Sequence, residues 1–504
     1  MGSPQLHVGI VASPGKGHLI PVLVLGNRLA VFHNIKATII IITSKNSPPD
    51  TQLLKTFNVP RKLIDVVQIP PVDISNLIDT DAKVVTQICV MVRQALPEIR
   101  IAISTIKPDA LIVDLLSTEV MTLVSREFNM PKYVFVPTNA WFTALAIYSA
   151  KVLDKEIEGQ YVDHGNILMI PGCKPVRPDD VVDAMLDRND EQYNEHVRLG
   201  IEYTLSDGIL INTWEEAECD TLKGLTENER LKSVVKVQIY PIGPLRRNVE
   251  DKNMENWILK WLDKQPSESV LYVSFGSGGT LSSKQMIELA WGLKLSQQRF
   301  VWVVRPPCDG GADGSFFSSG QNPEQTAVDK SEKEEDNVKS SCSLCPAQHL
   351  PCDGTLDYLP EGFLTRTRDK GLVVQTWAQQ VEILSHSAVG FLSHCGWNST
   401  IESLTNGIPM IAWQLYAEQR LNATMLTKEL RVAVRPEFLP TKKVVGREEI
   451  EKMVRTIMQY PEGKGIRNKA KQLLISAENA LRKGGSSYNS MCKVLKDIEN
   501  KLVS

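Results

Sequence analysis

Apolar runs alternate with helical periodicity through the first half of the chain, and this alternation sets the expected architecture. Residues 18–32 carry apolar side chains at helical spacing, with Pro21 in the first turn, where proline is tolerated. Strands that alternate with helices favour a parallel sheet covered on both faces. The runs that predict buried strands are 7–14, 37–44, 110–116, 132–138 and 208–212.

The alternation starts again after a polar segment at 244–253, which predicts an interdomain linker. We therefore predict an α/β fold of two doubly wound Rossmann-like domains, at 1–245 and 254–484. A last helix at 485–504 is expected to pack back on the first domain. Ligands of such sheets bind outside the carboxyl ends of the strands, so the domains should face each other across a cleft. The apolar runs of the second domain are 269–277, 300–304, 371–377, 388–394 and 409–415.

Residues 306–355 interrupt this pattern. The segment is rich in Gly, Ser, Pro and acidic residues, which predicts a long, mobile surface loop inserted in the second domain. A zinc site is the alternative, but no second Cys-x-x-Cys pairs with the first and the spacing fits no common zinc finger. The residues concerned are Cys308, Cys342, Cys345, His349 and Cys352.

Composition narrows the class of protein. The 504 residues are 42% hydrophobic and 23% charged, and the net charge is −3 without a long basic stripe, which argues against a nucleic-acid partner. No apolar run reaches about 18 residues, so we expect no membrane span. The N-terminus lacks the pattern of a secretory signal and the nine cysteines are scattered, so we expect reduced thiols and a cytoplasmic location.

The most informative chemistry lies where the run 388–394 passes into a predicted helix. The free N–H groups and positive dipole end of a helix N-terminus bind phosphate without Lys or Arg. Gly396 allows close approach, and Asn398 and Ser399 add short polar donors. Glu402 lies about one turn further on, where its carboxylate could accept hydrogen bonds from sugar hydroxyls. A plain capped helix is the alternative, since Asn and Ser favour helix starts.

The wider stretch from Trp377 to Gln419 decides between these alternatives. It resembles the signature segment of plant secondary-product UDP-glycosyltransferases, and the segments 14–21, 110–114 and 275–280 extend the resemblance over nearly the whole chain. The resemblance implies the two-domain GT-B fold, with an acceptor-binding first domain and a UDP-sugar-binding second domain. It also implies no metal ion and no cofactor beside the UDP-sugar co-substrate. The matching positions are Trp377, 394–400, Glu402, Pro409 and 416–419.

The resemblance also implies roles for the residues of the donor site. Its nucleoside contacts are Trp377 stacked on the uracil, the backbone of Ala378, and Gln380 and Glu402 at the ribose. Its diphosphate contacts are Ser277, His394, Asn398 and Ser399. Its sugar contacts are Glu418 and Gln419, and Trp397 and Tyr416 complete the set. A terminal Gln goes with glucose as the donor sugar. The segment is one residue shorter than usual near Ser387 and has Gln379 where Pro is usual, but neither departure removes a named contact.

His18 and Asp114 are the expected catalytic pair. His18 follows the first predicted strand and Asp114 ends the segment 110–114, so both can lie at the carboxyl edge of one sheet. A histidine can remove the proton of a phenol at neutral pH. An Asp on the other ring nitrogen fixes the tautomer and stabilises the imidazolium. Direct displacement would invert the anomeric centre and give a β-glucoside.

The acceptor is expected to be a small phenol or flavonoid. The first domain resembles the branch of the family that glucosylates monolignols, hydroquinones and flavonoids, and most closely a plant flavone 8-C-glucosyltransferase. Removal of a 7-hydroxyl proton makes the adjacent ring carbon nucleophilic, so C-transfer and O-transfer use the same base and both stay open. The candidate wall residues are Ile88, Leu115, Leu116, Trp141 and Gly278. Ordinary core packing is the alternative for the apolar ones.

Two other classes of protein fit the chain less well. A nicotinamide oxidoreductase needs the third glycine of G-x-G-x-x-G, which the turn at Gly15 and Gly17 lacks, and an acidic residue for the ribose, which 42–44 lacks. A non-catalytic UDP-sugar-binding protein would be expected to lose His18 or Asp114. We therefore expect a monomeric enzyme that binds UDP-glucose and a small aromatic acceptor.

Overall fold

Two parallel sheets, each covered by helices, make up the described part of the chain. The computed structural model describes residues 5–43, 63–79, 82–165, 167–247, 257–309, 356–386 and 389–503. Most of the expected loop and part of the expected linker, 310–355 and 248–253, lie outside these residues. Cys342, Cys345, His349 and Cys352 lie outside them as well. Within the described ranges, no His, Cys, Asp or Glu cluster is arranged to hold a metal ion.

The first sheet contains seven parallel strands in the order β3-β2-β1-β4-β5-β6-β7. They are β1 His7–Ala12, β2 Lys36–Ile41, β3 Ile64–Gln68, β4 Ala110–Asp114, β5 Lys132–Val136, β6 Gly208–Ile211 and β7 Gln238–Pro241. The order reverses between β1 and β4, which pair directly from Val8 and Ala110 onward. A reversal of this kind opens a crevice at the carboxyl ends of the two strands.

The second sheet repeats this design with six strands in the order β10-β9-β8-β11-β12-β13. They are β8 Val270–Ser274, β9 Arg299–Val304, β10 Gly371–Gln375, β11 Val389–Ser393, β12 Met410–Ala412 and β13 Ala433–Val434. Here the order reverses between β8 and β11, so the segments after these two strands flank the second crevice.

The helices follow the strands in the alternation that the sequence predicted. Those associated with the first sheet are α1 Lys16–His33, α2 Val84–Ile106, α3 Glu119–Glu127, α4 Ala140–Tyr148, α5 Asp154–Glu156, α6 Glu191–Tyr203, α7 Cys219–Glu227 and α8 Glu229–Lys232. The remaining helices are α9 Trp257–Leu262, α10 Ser283–Ser296, α11 Phe363–Thr367, α12 Gln380–Ser385, α13 Trp397–Leu404, α14 Gln419–Thr424, α15 Arg447–Met458, α16 Pro461–Leu481 and α17 Ser486–Val503. In the described residues, no helix is long and apolar enough to cross a membrane.

Three strands were not predicted, and all three lie at sheet edges. β3 and β7 end the first sheet and β13 ends the second. An edge strand has a neighbour on one side only and can be short and partly exposed. Three of the five residues of β3 are accordingly exposed, and β13 has only two residues. Neither forms the continuous apolar run by which buried strands are recognised.

The last helix, α17, packs on the first sheet rather than on the second. Its buried Met491, Val494 and Ile498 join the core cluster that contains Val8 and Ile10 of β1. The Tyr133 hydroxyl of β5 donates to the Asp497 carboxylate of α17 at 2.5 Å. The chain therefore starts and ends on the same sheet.

Candidate active site

The segments that follow β1 and β11 meet between the two sheets. Gly17 lies in the first turn of α1 and Asn398 in the first turn of α13. The Asn398 side-chain Nδ2 donates to the Gly17 carbonyl at 3.1 Å. The expected catalytic pair and the expected phosphate-binding helix are therefore neighbours across the cleft.

His18 and Asp114 form a hydrogen-bonded pair at the reversal point of the first sheet. The His18 Nδ1 lies 3.0 Å from Asp114 Oδ1. The Asp114 side chain is fully buried, whereas that of His18 is 17% exposed. Because a carboxylate can only accept, Nδ1 carries the proton, and Nε2 is the nitrogen that can take a proton from a substrate. Gly15 makes this placement possible, since its φ of 104° turns the chain from β1 into α1.

The charges around His18 favour its protonated form. Burial lowers the pKa of His18, but the charge and hydrogen bond of Asp114 and the charge of Glu418 raise it, and the net pKa lies above the ordinary 6.5. Asp114 ends strand β4 of the first sheet, and Glu418 follows β12 of the second sheet. Both sides of the cleft therefore stabilise an imidazolium at this position.

Glu418 lies in the 416–419 loop, which joins β12 to α14. The side-chain Oε1 of Gln419 accepts the backbone N–H groups of Leu415 at 2.9 Å and Tyr416 at 3.0 Å, which closes the loop. Burial raises the pKa of Glu418, although the charge of His18 acts in the opposite direction. The loop thus holds the Glu418 carboxylate where its charge acts on His18.

His394 follows β11 and is enclosed by two glycines. A Cβ on Gly276 would lie 2.5 Å from the imidazole Nε2, and a Cβ on Gly396 would lie 2.6 Å from it. Burial and the charge of Arg305 lower the pKa of His394 to about 4. Its Nδ1 is buried and has no hydrogen-bond partner among the described residues. The ring is therefore neutral and can donate one hydrogen bond to a ligand oxygen.

Glu402 connects the expected ribose-binding residues to the linker. The guanidinium of Arg247 donates to Glu402 Oε1, with Nη2 at 3.1 Å. The Gln380 Nε2 donates to Glu402 Oε2 at 2.8 Å and to the Ser399 hydroxyl at 2.9 Å. Glu402 is 2% exposed. A ribose hydroxyl that binds Glu402 would share this carboxylate with Arg247.

Trp377 presents its ring to solvent, with 64% of the residue exposed. The residue before it, Thr376, has a φ of 62°, and Ala378 is buried. Large aromatic side chains are seldom this exposed, and an uncovered ring face can stack on a planar ligand. This geometry suits the base-stacking role that the resemblance implied.

Comparison with known proteins identifies the family. A family model described as UDP-glucoronosyl and UDP-glucosyl transferase matches residues 360–460. The chain is similar to anthocyanidin 3-O-glucosyltransferase 5 of Manihot esculenta, at 49% identity over 498 residues, 97% of this chain and 96% of the relative. Hydroquinone glucosyltransferase of Rauvolfia serpentina is 39% identical over 506 residues, 99% of each chain. The crystal structure of TcCGT1 in complex with UDP is 45% identical and superposes with a TM-score of 0.85, covering 99% of this chain and 100% of that one.

The chain belongs to the plant UDP-glycosyltransferases. It is therefore an enzyme that transfers a sugar from a UDP-sugar. Its two sheets are the two Rossmann-like domains of the GT-B fold, which confirms the predicted fold class.

The apolar residues expected to line the acceptor wall of this UDP-glycosyltransferase are core residues. Ile88 and Trp141 are 1% and 0% exposed, and Leu115 and Leu116 are each 6% exposed. All four belong to the largest core cluster. Their burial agrees with ordinary core packing, and their role at the acceptor stays a prediction. Gly278 is also buried.

The three remaining predicted donor residues differ in their surroundings. Trp397 is 4% exposed, and its indole Nε1 donates to the Asn212 carbonyl of the first domain at 2.8 Å, so it joins the domains. Tyr416 is partly buried and packs against the core of the second domain. Ser277 is exposed after β8, and its carbonyl accepts from the Arg305 guanidinium.

Three charged residues with contacts around the candidate site were not predicted from the sequence. Arg305 contacts both the Ser277 carbonyl and, at 3.4 Å, the Thr376 carbonyl, and so links the two loops around the nucleotide region. Its position directly after the predicted strand 300–304 was a usable signal. Arg247 lies in the predicted linker, and no sequence pattern indicated its ion pair with Glu402. Asp183, whose contacts are described below, had no local signal.

Proposed function

We propose that the protein is an inverting UDP-glucose-dependent glucosyltransferase that acts on phenolic or flavonoid acceptors. The observation that carries the proposal is the His18–Asp114 pair, joined at 3.0 Å at the cleft and coupled by charge to Glu418 of the other domain. The relatives support the acceptor class, since one is named for an anthocyanidin and another for hydroquinone.

The donor would be bound largely by uncharged groups. The neutral His394, the first turn of α13 and Ser277 supply hydrogen-bond donors to the diphosphate, as helix N-termini do for phosphates generally. Trp377 stacks on the uracil, and Gln380 and Glu402 hold the ribose. Glu418 and Gln419 bind the sugar hydroxyls. In this scheme the binding groups come from the protein itself, without a metal ion.

Transfer is a single displacement at the anomeric carbon. The His18 Nε2 takes the proton of the acceptor hydroxyl while the acceptor oxygen forms a bond to the anomeric carbon. The bond from that carbon to the diphosphate oxygen breaks, and UDP leaves with the electron pair. Asp114 stabilises the imidazolium that forms, so proton transfer is easier. General-base assistance of this kind is worth roughly 10²–10⁴-fold in rate.

The finer proposal concerns the bond that is made. With a flavone, His18 removes the 7-hydroxyl proton and C-8 bonds to the anomeric carbon, while the bond from that carbon to the diphosphate oxygen breaks and UDP leaves with the electron pair. The C-8 proton then passes through water to the 7-oxygen, which restores the aromatic phenol, and His18 releases its proton to solvent. O-glucosylation is the second candidate, and the similarity to the Manihot esculenta relative, which is named as a 3-O-glucosyltransferase, favours it. Acid treatment of the product distinguishes them, because an O-glucoside releases glucose and a C-glucoside does not.

The first test is turnover of UDP-glucose with a panel of phenols and flavones, with UDP release and product mass as readouts. His18→Ala should lower kcat by about 10²–10⁴-fold, since it removes the base. UDP affinity, measured by calorimetry, should be unchanged, because His18 does not belong to the nucleotide site. A His18→Ala variant with wild-type turnover would contradict the assignment of the base.

The cellular location is also part of the proposal. The cysteines of the described residues, among them Cys89, Cys173 and Cys395, are free thiols. Free thiols are usual where glutathione keeps proteins reduced, so we propose that the enzyme acts in the cytosol.

A further inference from the structure

We propose that Asp183 of the first domain is a positioning residue for the donor sugar: it crosses the cleft and holds the 416–419 loop in its binding conformation. The inference rests on the proposed function, which assigns this loop to the sugar of UDP-glucose. Asp183 opens a short 3-10 turn, Asp183–Met185, whose neighbours Val182, Ala184 and Met185 are buried. The carboxylate is therefore carried by a well-packed segment.

Asp183 forms hydrogen bonds with both the N–H and the carbonyl group of one loop residue, Ala417. Its Oδ2 accepts the backbone N–H of Ala417 at 2.7 Å. Its own backbone N–H donates to the Ala417 carbonyl at 3.1 Å. The second carboxylate oxygen, Oδ1, pairs with the guanidinium of Arg420 in α14. Asp183 thus fixes the peptide groups on both sides of Ala417 and the helix that follows.

Ala417 needs such support because of its backbone conformation. Its φ is 56°, in the left-handed region that residues other than glycine rarely adopt. Backbone of this kind persists only where surrounding contacts determine it. The residues that follow are Glu418 and Gln419, the proposed sugar-binding pair. Their directions are set by the peptide that Asp183 holds.

Other acidic residues of the same segment also reach the second domain, but they contact different places. The Asp180 carboxylate pairs with Arg435 at 2.9 Å, and Asp179 pairs with Lys442 at 2.7 Å. The pair of Asp179 and Lys442 is on the surface, with side chains 44% and 57% exposed. The side chains of Asp183 and Arg420 are only 27% and 9% exposed. Asp179 therefore provides a matched control: an interdomain aspartate that contacts the second domain away from the loop.

The position of Asp183 predicts an effect on the sugar and none on the nucleotide. In the proposed site UDP contacts α13, Trp377 and Glu402, whereas the 416–419 loop is assigned to the sugar. A variant that releases the loop should therefore bind UDP normally and use UDP-glucose poorly. General weakening of the fold would lower both.

The experiment compares Asp183→Ala, Asp183→Asn and Asp179→Asn in the full chain. UDP affinity is measured by calorimetry, kcat and KM for UDP-glucose by UDP release, and folding by thermal unfolding. Asp183→Ala should lower kcat/KM for UDP-glucose by about 10–100-fold, as expected for loss of charge-assisted hydrogen bonds. UDP affinity should stay within about twofold of wild type, a small difference on the same scale. Asp183→Asn should be milder, because its amide oxygen still accepts from Ala417, and Asp179→Asn should resemble wild type.

Two results would overturn the inference. One is a fall in UDP affinity that matches the fall in kcat/KM, and the other is an Asp183→Ala variant with the kinetics of Asp179→Asn. If Asp183→Ala does not fold, Asp183→Asn serves as the test. Its kcat/KM for UDP-glucose must then fall by a larger factor than its affinity for UDP, relative to wild type. Failure of the proposed function would be visible separately, as a wild-type enzyme that transfers no glucose from UDP-glucose.

Discussion

Two carboxylates act on the imidazole of His18, and they act in different ways. Asp114 bonds to Nδ1 and fixes the tautomer, whereas Glu418 acts through its charge from the other side of the cleft. Both stabilise the protonated ring, so the base is stronger than a free histidine. A stronger base is useful only where the pH keeps it deprotonated before the acceptor binds.

This leads to a prediction about the pH dependence of the rate. Only the neutral imidazole can accept a proton, so kcat/KM should be full at high pH and fall as the pH drops through the raised pKa, which lies above 6.5. Asp114→Asn removes the larger favourable charge, so the inflection should move to lower pH and the plateau rate should fall. Measurement of kcat/KM against pH for the two proteins checks both effects.

A matched substitution makes this prediction specific. Asp65 pairs with Lys36 on the surface, and its side chain is 56% exposed. Asp65→Asn should therefore leave the inflection where it is in wild type. An Asp114→Asn variant whose inflection coincides with that of wild type would show that another group sets the pKa.

At the scale of elements, the segment after β8 is shaped to leave room for His394. Gly276 has a φ of 74°, and an added Cβ would lie 2.5 Å from the imidazole. Gly276→Ala should therefore strain the backbone by about 1–2 kcal/mol and also displace His394. We expect UDP affinity to fall, because the neutral ring would no longer be aligned with the diphosphate, and calorimetry with UDP measures this.

The control for this prediction is a glycine with free space around it. A Cβ on Gly465, within α16, would meet nothing within 4 Å. Gly465→Ala should keep the UDP affinity of wild type and stabilise the helix by roughly 0.5–1 kcal/mol. If Gly276→Ala bound UDP as tightly as Gly465→Ala, His394 would not be required in its observed position.

The elements also show how far the sequence leads. Central strands such as β4 and β11 are apolar on both faces and were predicted, whereas the edge strands β3, β7 and β13 carry no such signal. The predicted run 7–14 extends past the end of β1 at Ala12 because Ser13 and Pro14, which follow the strand, are buried as well. Burial produces the same apolar pattern in a strand and in a buried loop.

The sequence likewise predicted some residues of the candidate site and not others. His18 and Asp114 were predicted because strand ends in such sheets gather at one edge, and all the donor residues except Ser277 because they lie in one continuous motif, 377–419. Arg247 and Asp183 were not found, since their partners lie 155 and 234 residues away in the chain. Contacts of this kind are created by the docking of two domains, which no local pattern records.

At the scale of the whole molecule, the two domains are tied together by the returning C-terminal segment. The Trp214 indole Nε1 donates to the Ser476 hydroxyl of α16 at 2.9 Å. The helix α17 then covers the first sheet, where the Tyr133 hydroxyl donates to Asp497 at 2.5 Å. The two helices therefore connect the second sheet to the first independently of the linker, and the stability of the first sheet should depend on α17.

Tyr133→Phe tests this dependence, because it removes one hydroxyl and keeps the buried ring. Burial and the charge of Asp497 raise the pKa of Tyr133, so the hydroxyl stays protonated and donates at any physiological pH. Its loss should lower the free energy of unfolding by about 1–3 kcal/mol, measured by urea denaturation, and leave kcat/KM unchanged.

The control is Tyr488→Phe on α17, which keeps the ring stack on His33 at 5.0 Å and should lower the free energy of unfolding by less. Equal stability of the two variants would mean that apolar packing of α17, rather than the Tyr133–Asp497 bond, holds the helix in place. A lowered kcat/KM would mean that the position of α17 also affects the cleft, since β5 lies beside β4, which ends at Asp114 of the proposed catalytic pair.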